Sequence, residues 1–190
     1  MKNLILLIVI IFSFSCSKDD EKPTIVYQEQ NPLEGYLVGS GFYTITPHIN
    51  DSNNFSQGFS FIPLVTGNIT AITLKIPDTS SAVPVTIWNK ATGLMLKKVL
   101  VDVPTANVQV AKFIETIKLT KGKEYVISFK STDNYSHYKA DLSPTVYPIP
   151  VADISITGFV SINGIFEGIP SYESLDAYIG DCSFNFIQTE

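Results

Sequence analysis

Short runs of β-prone residues, punctuated by glycine and proline, dominate the chain from residue 34 onward. The segments 69–76 and 83–88 alternate apolar and polar residues, a pattern that places the apolar side chains on one face of a strand. Further β-prone runs occupy 58–63, 113–119, 124–129, 155–162 and 178–187. No window of about a dozen residues keeps apolar positions at the spacing of a helix. Many short strands with turns between them predict an all-β fold, and we expect a two-sheet antiparallel β-sandwich that is jelly-roll-like.

The N-terminus has the order of a secretory signal. Lys2 supplies a positive charge, residues 4–12 form an unbroken apolar run, and Ser15 precedes Cys16. A membrane-spanning helix needs about 20 apolar residues, so this run is too short to span. The pair Ser15-Cys16 resembles the lipobox of bacterial lipoproteins, in which the cysteine becomes the lipidated N-terminus. The alternative is an ordinary signal peptide that happens to contain a cysteine.

The residues after Cys16 are polar and charged, with an acidic cluster at Asp19-Asp20-Glu21. This cluster resembles the export signal that Bacteroidetes-type lipoproteins carry behind the lipidated cysteine, which implies a position on the outer face of the outer membrane. The alternative is a solvated tether whose charges keep it extended. We therefore predict three regions: a signal peptide at 1–15, the lipidated cysteine and a flexible tether at 16–33, and a β-sandwich domain at 34–190.

Charge and cysteine content exclude several classes of function. The formal net charge is −5, and loss of Lys2 with the signal makes it −6, which argues against a nucleic-acid partner and against electrostatic binding to anionic lipid. If Cys16 carries lipid, Cys182 has no partner for a disulfide. Cys182 shares strand parity with Phe184 and Phe186, so we expect a buried, unreactive thiol. One free cysteine and two histidines are too few for a zinc site, and we expect no metal or other cofactor.

Several strand and turn segments between about residues 55 and 187 follow one another in a characteristic order. They read GFSF at 58–61, GNITAI at 67–72, VTIW at 85–88, GL at 93–94, IKLTKGKEYVIS at 117–128, and the closing stretch from Tyr178 to Phe186. In this order they resemble an uncharacterised jelly-roll domain family of bacterial secreted proteins, often found beside carbohydrate-active modules. The resemblance implies a jelly-roll fold and a glycan-rich context, and it carries over no functional residue, because fold alone does not determine function.

The longest stretch without a clean strand pattern is 131–152, and long loops on a rigid sandwich are where binding residues tend to lie. Its aromatic rings have the shape to stack on sugars, and its polar groups can take sugar hydroxyls. The candidate ligand-binding residues there are Tyr135, His137, Tyr138, Tyr147, Asp133 and Asp141. The alternative is that the tyrosines pack over a sheet edge with their hydroxyls in water. Trp88, the only tryptophan, is a further candidate as an exposed stacking surface, although its apolar neighbours favour partial burial.

Neither metal binding nor catalysis has a recognisable motif. The segment 50–54 is rich in side-chain oxygens, as calcium loops are, but lacks the glycine and distal glutamate of an EF-hand. His48 and His137 lie in no nucleophile or metal motif, and the chain has no Gly-x-Ser-x-Gly segment. A glycosidase needs two carboxylates across a cleft. Carboxylates that could supply a pair are Asp133, Asp141, Glu167, Glu173 and Asp176. No pattern pairs them, so we predict no catalytic residue and a protein that is not an enzyme.

Together these features predict a non-catalytic binding module held on the surface of the outer membrane by its N-terminal lipid. The expected ligand is a glycan or another cell-surface ligand. The alternative is a structural or accessory subunit of an outer-membrane protein complex, which needs a docking surface and no ligand pocket.

Overall fold

The computed structural model describes residues 26–49, 55–164 and 168–190. Strands account for 58% of the chain, and the described residues form one short helix, which confirms the predicted all-β fold. In chain order the elements are α1 (Leu33–Ser40), β1 (Thr44–His48), β2 (Phe55–Pro63), β3 (Gly67–Lys75), β4 (Ser80–Asn89), β5 (Met95–Val103), β6 (Val110–Leu119), β7 (Tyr125–Ser131), β8 (Asn134–Tyr138), β9 (Ile149–Val151), β10 (Ile154–Asn163), β11 (Tyr172–Ser174), β12 (Ala177–Ile179) and β13 (Asp181–Gln188). None of the helices in the described ranges is long and apolar enough to cross a membrane.

The strands form two packed layers. The first layer is a seven-stranded sheet in the order β11-β10-β2-β7-β4-β5, with β9 also paired to β10. The second layer consists of two three-stranded sheets, β1-β8-β12 and β13-β3-β6. These two sheets meet at Gly180, which separates β12 from β13 and donates its backbone N–H to the carbonyl oxygen of Tyr135 at 2.7 Å. All strand pairs are antiparallel, so the predicted antiparallel sandwich is confirmed.

The connectivity of the sandwich is that of a jelly roll. The pairs β4–β5, β3–β6, β2–β7 and β1–β8 are nested around the loop that joins β4 to β5. Successive pairs alternate between the two layers, which is the arrangement that two interlocked Greek keys produce. The continuous stretch β12–β13 enters the second layer between β8 and β3. This nesting confirms the jelly-roll-like order.

The hydrophobic core lies between the layers. Its largest side chains include Phe59, Phe61, Ile127 and Phe129 from the first layer and Ile72, Leu74, Tyr178, Phe184 and Phe186 from the second, all fully buried. The rings of Phe61 and Phe184 have centroids 4.6 Å apart and join the layers directly. Cys182 is also fully buried, as predicted, and burial raises the pKa of its thiol. Each fully buried apolar side chain contributes about 1.5–3 kcal/mol, so this core is the main source of stability.

The helix α1 was not predicted. It has only eight residues, two of them glycines, and so carries no helical repeat of apolar side chains. Its glycines serve a close contact: a Cβ at Gly39 would lie 2.8 Å from Cγ2 of Ile149, and one at Gly35 would overlap Val151. The side chain of Asn31 accepts the N–H of Leu33 at 3.1 Å and so supports the start of the helix.

Residues ahead of position 34 also contact the sandwich. Gln30 forms a two-way backbone bridge with Phe186 on β13, with both N···O distances 2.8 Å. The Gln30 side chain donates to the Asp153 carboxylate at 2.5 Å. Part of the segment expected to be a flexible tether is therefore attached to the sandwich. Cys16 and the acidic cluster at 19–21 lie outside the described residues.

Candidate functional site

The stretch 131–152 is not one long loop, which corrects the expectation from its sequence. Asn134–Tyr138 forms strand β8 between β1 and β12, and Ile149–Val151 forms β9. Tyr135 is 5% exposed and His137 only 1%, while Asp133 is also buried. The polar composition of β8 concealed a buried strand, in which the Tyr135 hydroxyl and Nε2 of His137 find hydrogen-bond partners inside the protein. Tyr135 and His137 do not present open rings to a ligand in solution.

His137 belongs to a buried polar network. Its Nε2 lies 2.6 Å from Oδ1 of Asp181, and its ring stacks on Tyr178 with a centroid distance of 5.8 Å. The other oxygen of Asp181 lies 3.8 Å from Nζ of Lys75, which stands 4.8 Å above the centroid of the Tyr135 ring. Tyr135 in turn donates its hydroxyl to the side-chain oxygen of Asn107. This network connects β8 to β3, to β13 and to the loop before β6. These side chains therefore stabilise the fold.

The remaining candidates of this stretch lie apart from one another. Tyr147 is half-buried, and its hydroxyl is 2.6 Å from that of Tyr36 on α1; burial raises the pKa of both phenols. Asp141 is exposed, and the backbone N–H of Ser143 donates to it at 3.0 Å, which lowers the pKa of the carboxyl. Tyr138 is partly exposed at the end of β8. The structure does not assemble these residues into one aromatic surface.

Trp88 lies on the outer side of the first layer and is 9% exposed. It packs against Val126, Val160 and Ile169, and its Nε1 donates to Oγ of Ser128 at 3.1 Å. Partial burial, the interpretation that its neighbours favoured, is therefore confirmed. The part of the ring that remains open faces a surface depression.

Two adjoining depressions on this outer side share Pro84, Lys98 and Lys130, and we call them together the outer-face groove. The part next to Trp88 has a volume of about 120 Å³ and the part next to Ser81 about 380 Å³. The residues that line the groove are Ser56, Ser80, Ser81, Ala82, Val83, Pro84, Thr86, Trp88, Met95, Lys98, Lys130, Ser131, Thr132 and Gly168. Hydroxyl-bearing side chains are the most numerous group in this lining.

The register of three strands explains why these side chains share a face. On β4, Val83, Val85 and Ile87 point to the core, so Pro84, Thr86 and Trp88 point outward. Thr86 pairs with Lys98 on β5 and with Ser128 on β7. Lys130 lies two residues beyond Ser128 and therefore points to the same side. The two lysines flank β4, two inter-strand spacings or roughly 10 Å apart across the sheet.

The charge of the groove is positive. Lys130 donates to the carbonyl oxygen of Gly164 at 2.5 Å, and Lys98 has no carboxylate partner in the part of the chain that the structure describes. Among the residues that the structure describes, no carboxylate or histidine lines the groove. The exposed carboxylate of Asp102, on β5, accepts the N–H of Ala82 at 2.8 Å. The sequence analysis did not predict either lysine as a binding residue, although each occupies an outward position in a strand of alternating apolar and polar residues.

The described residues form three more clefts, and one of about 510 Å³ lies between the end of α1 and the segment that carries Lys139 and Asp141. An apolar cleft of about 500 Å³ lies between β2 and β10 on one side and β11 and β12 on the other, with Tyr172 exposed among its lining residues. A third of about 420 Å³ separates α1 from β1 and contains the exposed side chains of Val38, Tyr43 and Ile45. The apolar cleft offers few polar groups, so the groove is the better candidate for a hydrophilic ligand.

One pair of carboxylates lies close together. Lys90 Nζ is 3.0 Å from Glu124 and 3.5 Å from Glu173. A glycosidase needs its two carboxyl groups to face each other across a bound sugar, and here an ammonium group occupies the space between them. Within the described ranges no group of three or more His, Cys, Asp or Glu side chains could hold a metal ion. The oxygen-rich segment 50–54 and Glu167 lie outside those ranges.

The sequence matches no protein-family model and no curated protein. The likeness to an uncharacterised jelly-roll family therefore stays a prediction, and any function must be inferred from the chain's own residues.

Proposed function

We propose that the protein is a lipid-anchored binding module on the outer surface of the outer membrane, and that it binds glycans without cleaving them in the outer-face groove. The observation that carries this proposal is the hydroxyl-rich lining of an open depression on a rigid sheet. The jelly-roll sheet holds the lining residues on paired strands, so the site is formed before a ligand arrives.

The lining has the chemistry that sugar binding requires. Serine and threonine hydroxyls both donate and accept hydrogen bonds, as sugar hydroxyls do. The groove has six such side chains: Ser56, Ser80, Ser81, Thr86, Ser131 and Thr132. Pro84 and Met95 offer apolar surface for the C–H faces of a sugar ring, while Trp88, which is only 9% exposed, adds little of its ring. The lining residues that the structure describes include no carboxylate or histidine that could act as an acid or a base in hydrolysis, which supports binding without cleavage.

The location follows from the N-terminal segment. A positive stub, a short apolar run and Ser15-Cys16 fit a lipoprotein signal, and the acidic cluster behind it fits export to the cell surface. Stable anchoring requires more than one acyl chain, which a lipidated N-terminal cysteine carries. The proposed lipid anchor therefore makes the membrane a binding partner of the protein.

The binding proposal is tested with the detergent-solubilised lipoprotein on an array of polysaccharides. Ser81→Trp places a large ring in the groove at an exposed position on β4 and should weaken binding by tenfold or more. Thr116→Trp is the control, since Thr116 is exposed on β6 of the other layer. Both variants should unfold at the temperature of the wild type. Equal binding by both variants, or no binding by the wild type to any glycan, would refute the groove as a glycan site.

The location is tested separately. Cys16→Ala should release the protein from membranes, whereas Cys182→Ala should leave it attached. Protease added to intact cells should degrade the wild-type protein. Complete protection would place the domain inside the envelope and contradict surface display.

A second function, docking on an outer-membrane protein complex, is favoured by the cleft between α1 and β1. Tyr43 is 73% exposed there, and Val38 and Ile45 are more than half exposed, which is an unusual density of open apolar side chains. Chemical cross-linking in native membranes, followed by purification, should recover a partner that Tyr43→Ser and Ile45→Ser lose. Recovery of the uncross-linked monomer alone would rule this function out.

A further inference from the structure

We propose that the glycan bound in the outer-face groove is anionic, with its acidic groups held by Lys98 and Lys130. This inference rests on the proposed glycan-binding function and names the class of ligand. Among the described residues, only Pro84 and the two lysines line both parts of the groove. They therefore stand at its centre, where an extended ligand must pass.

Lysines on a sheet surface often form ion pairs with neighbouring carboxylates, but such ion pairs do not account for these two. Lys90 and Lys97 each contact a carboxylate at 3.0–3.1 Å. Lys98 makes no ion pair among the described residues, and the bond from Lys130 goes to a backbone carbonyl. The nearest described carboxylate is that of Asp102, which accepts the N–H of Ala82 and makes no ion pair with either lysine. Two ammonium groups are thus left with charge to offer a ligand, in a chain whose net charge is −5.

The placement of the lysines suits a polymer with repeated acidic groups. They lie on either side of β4, roughly 10 Å apart across the sheet, and each retains N–H groups for a ligand because an ammonium has three. A charge-assisted hydrogen bond is about twice as strong as a neutral one, while the serine and threonine hydroxyls between the lysines can take the neutral hydroxyls of the same polymer. An extended anionic glycan can place one acidic group at each lysine and its neutral hydroxyls on the serines and threonines between them.

The test compares polymers that share a backbone and differ in charge, using the full lipoprotein in detergent. Carboxylates are provided by polygalacturonate, with its methyl ester as the neutral counterpart. Sulfate esters are provided by dextran sulfate, with dextran as the neutral counterpart. We expect at least tenfold tighter binding to one or both charged polymers than to its neutral counterpart. The pair that shows the difference identifies the acidic group.

The variants separate a local effect from a change in net charge. Lys98→Met with Lys130→Met should weaken binding of the charged polymer by about 10- to 100-fold and abolish most of its salt dependence. Lys121→Met with Lys123→Met removes the same charge at the exposed turn before β7 and should leave binding within about twofold of wild type. Arginine at both groove positions should retain binding, which excludes a loss caused by misfolding.

Each contrary result has a separate meaning. Equal affinity for the charged and neutral members of each polymer pair overturns the anionic inference and leaves the glycan-binding function standing. Equal loss in the two double methionine variants also overturns it. Binding of polyglutamate as tight as that of the acidic polysaccharide overturns the glycan function, because charge alone would then account for recognition.

Discussion

Gly180 lies where the two sheets of the second layer meet, and its replacement by alanine gives a quantitative test of the fold. Its φ is +113°, a conformation that only glycine adopts readily. A Cβ at this position would overlap the ring of Phe129 and lie 2.8 Å from its Cζ. Phe129 is fully buried in the first layer, so it has little room to move away.

Two independent costs apply to Gly180→Ala. The backbone conformation costs about 1–3 kcal/mol for a residue with a side chain. The forced overlap with a packed core ring costs about 1–3 kcal/mol more. We therefore expect the free energy of unfolding to fall by about 2–6 kcal/mol, a large part of the 5–15 kcal/mol that is typical of a whole domain.

Gly122→Ala is the matched control. Gly122 also has a positive φ, +76°, but no atom lies within 4 Å of the position that a Cβ would occupy. Only the backbone cost remains, about 1–2 kcal/mol. The two variants thus share the chemical change and differ in the contact with Phe129.

Thermal unfolding followed by circular dichroism measures both variants. For a protein of this size 1 kcal/mol corresponds to about 2–4 °C, so Gly122→Ala should lower the midpoint by roughly 2–8 °C. Gly180→Ala should lower it by about 4–24 °C, and by clearly more than Gly122→Ala under the same conditions. If the two midpoints fall equally, the approach of the β12–β13 junction to Phe129 does not limit stability, and the reasoning is refuted.

Three further predictions concern buried groups. Burial raises the pKa of the Cys182 thiol. The thiol should therefore not react with Ellman's reagent in the native protein near pH 8, and it should react once the protein is unfolded in urea. Fast reaction of the native protein would contradict the burial of the thiol. A double-mutant cycle with His137→Leu and Asp181→Leu should give a coupling of about 1.5–3 kcal/mol, and a value near zero would show that the 2.6 Å contact contributes nothing. Burial raises the pKa of Tyr36 and Tyr178 well above the ordinary value of about 10. As the pH rises, these phenols ionise in the unfolded chain before they ionise in the folded protein. The stability they contribute is therefore complete below about pH 10 and is lost as the pH rises further. A thermal unfolding midpoint that stays constant from about pH 10 to pH 11 would contradict this.

The local alternation of apolar and polar residues was sufficient to predict the class of fold and which side chains of individual strands point to the core. Val83, Val85 and Ile87 were expected on one face of a strand, and all three point to the core. The same rule failed at β8, where Tyr135 and His137 occupy inward positions but look polar. A buried histidine is recognisable as a core residue only when its partner is known, and Asp181 lies 44 residues away in the chain.

The candidate groove could not be predicted because it is assembled from strands that are distant in sequence. Thr86, Lys98 and Lys130 each occupy a polar position in an alternating strand, which by itself indicates only exposure to solvent. Their proximity depends on β4 pairing with both β5 and β7, and strand pairing is set by the whole topology. The stretch 131–152 drew attention for its composition, whereas only its first two residues, Ser131 and Thr132, line the groove.

The direction in which the chain enters the domain supports the proposed arrangement at the membrane. Glu29 accepts hydrogen bonds from Thr70 at 2.5 Å and from Asn185 at 2.8 Å, and Gln30 bridges to β13. The N-terminal segment is therefore attached to the second layer. The groove lies on the outer side of the first layer, with the core between the two. If the proposed lipid anchor precedes Glu29, the chain joins the domain at the second layer, across the core from the groove, which is compatible with a groove open to polymers in the medium.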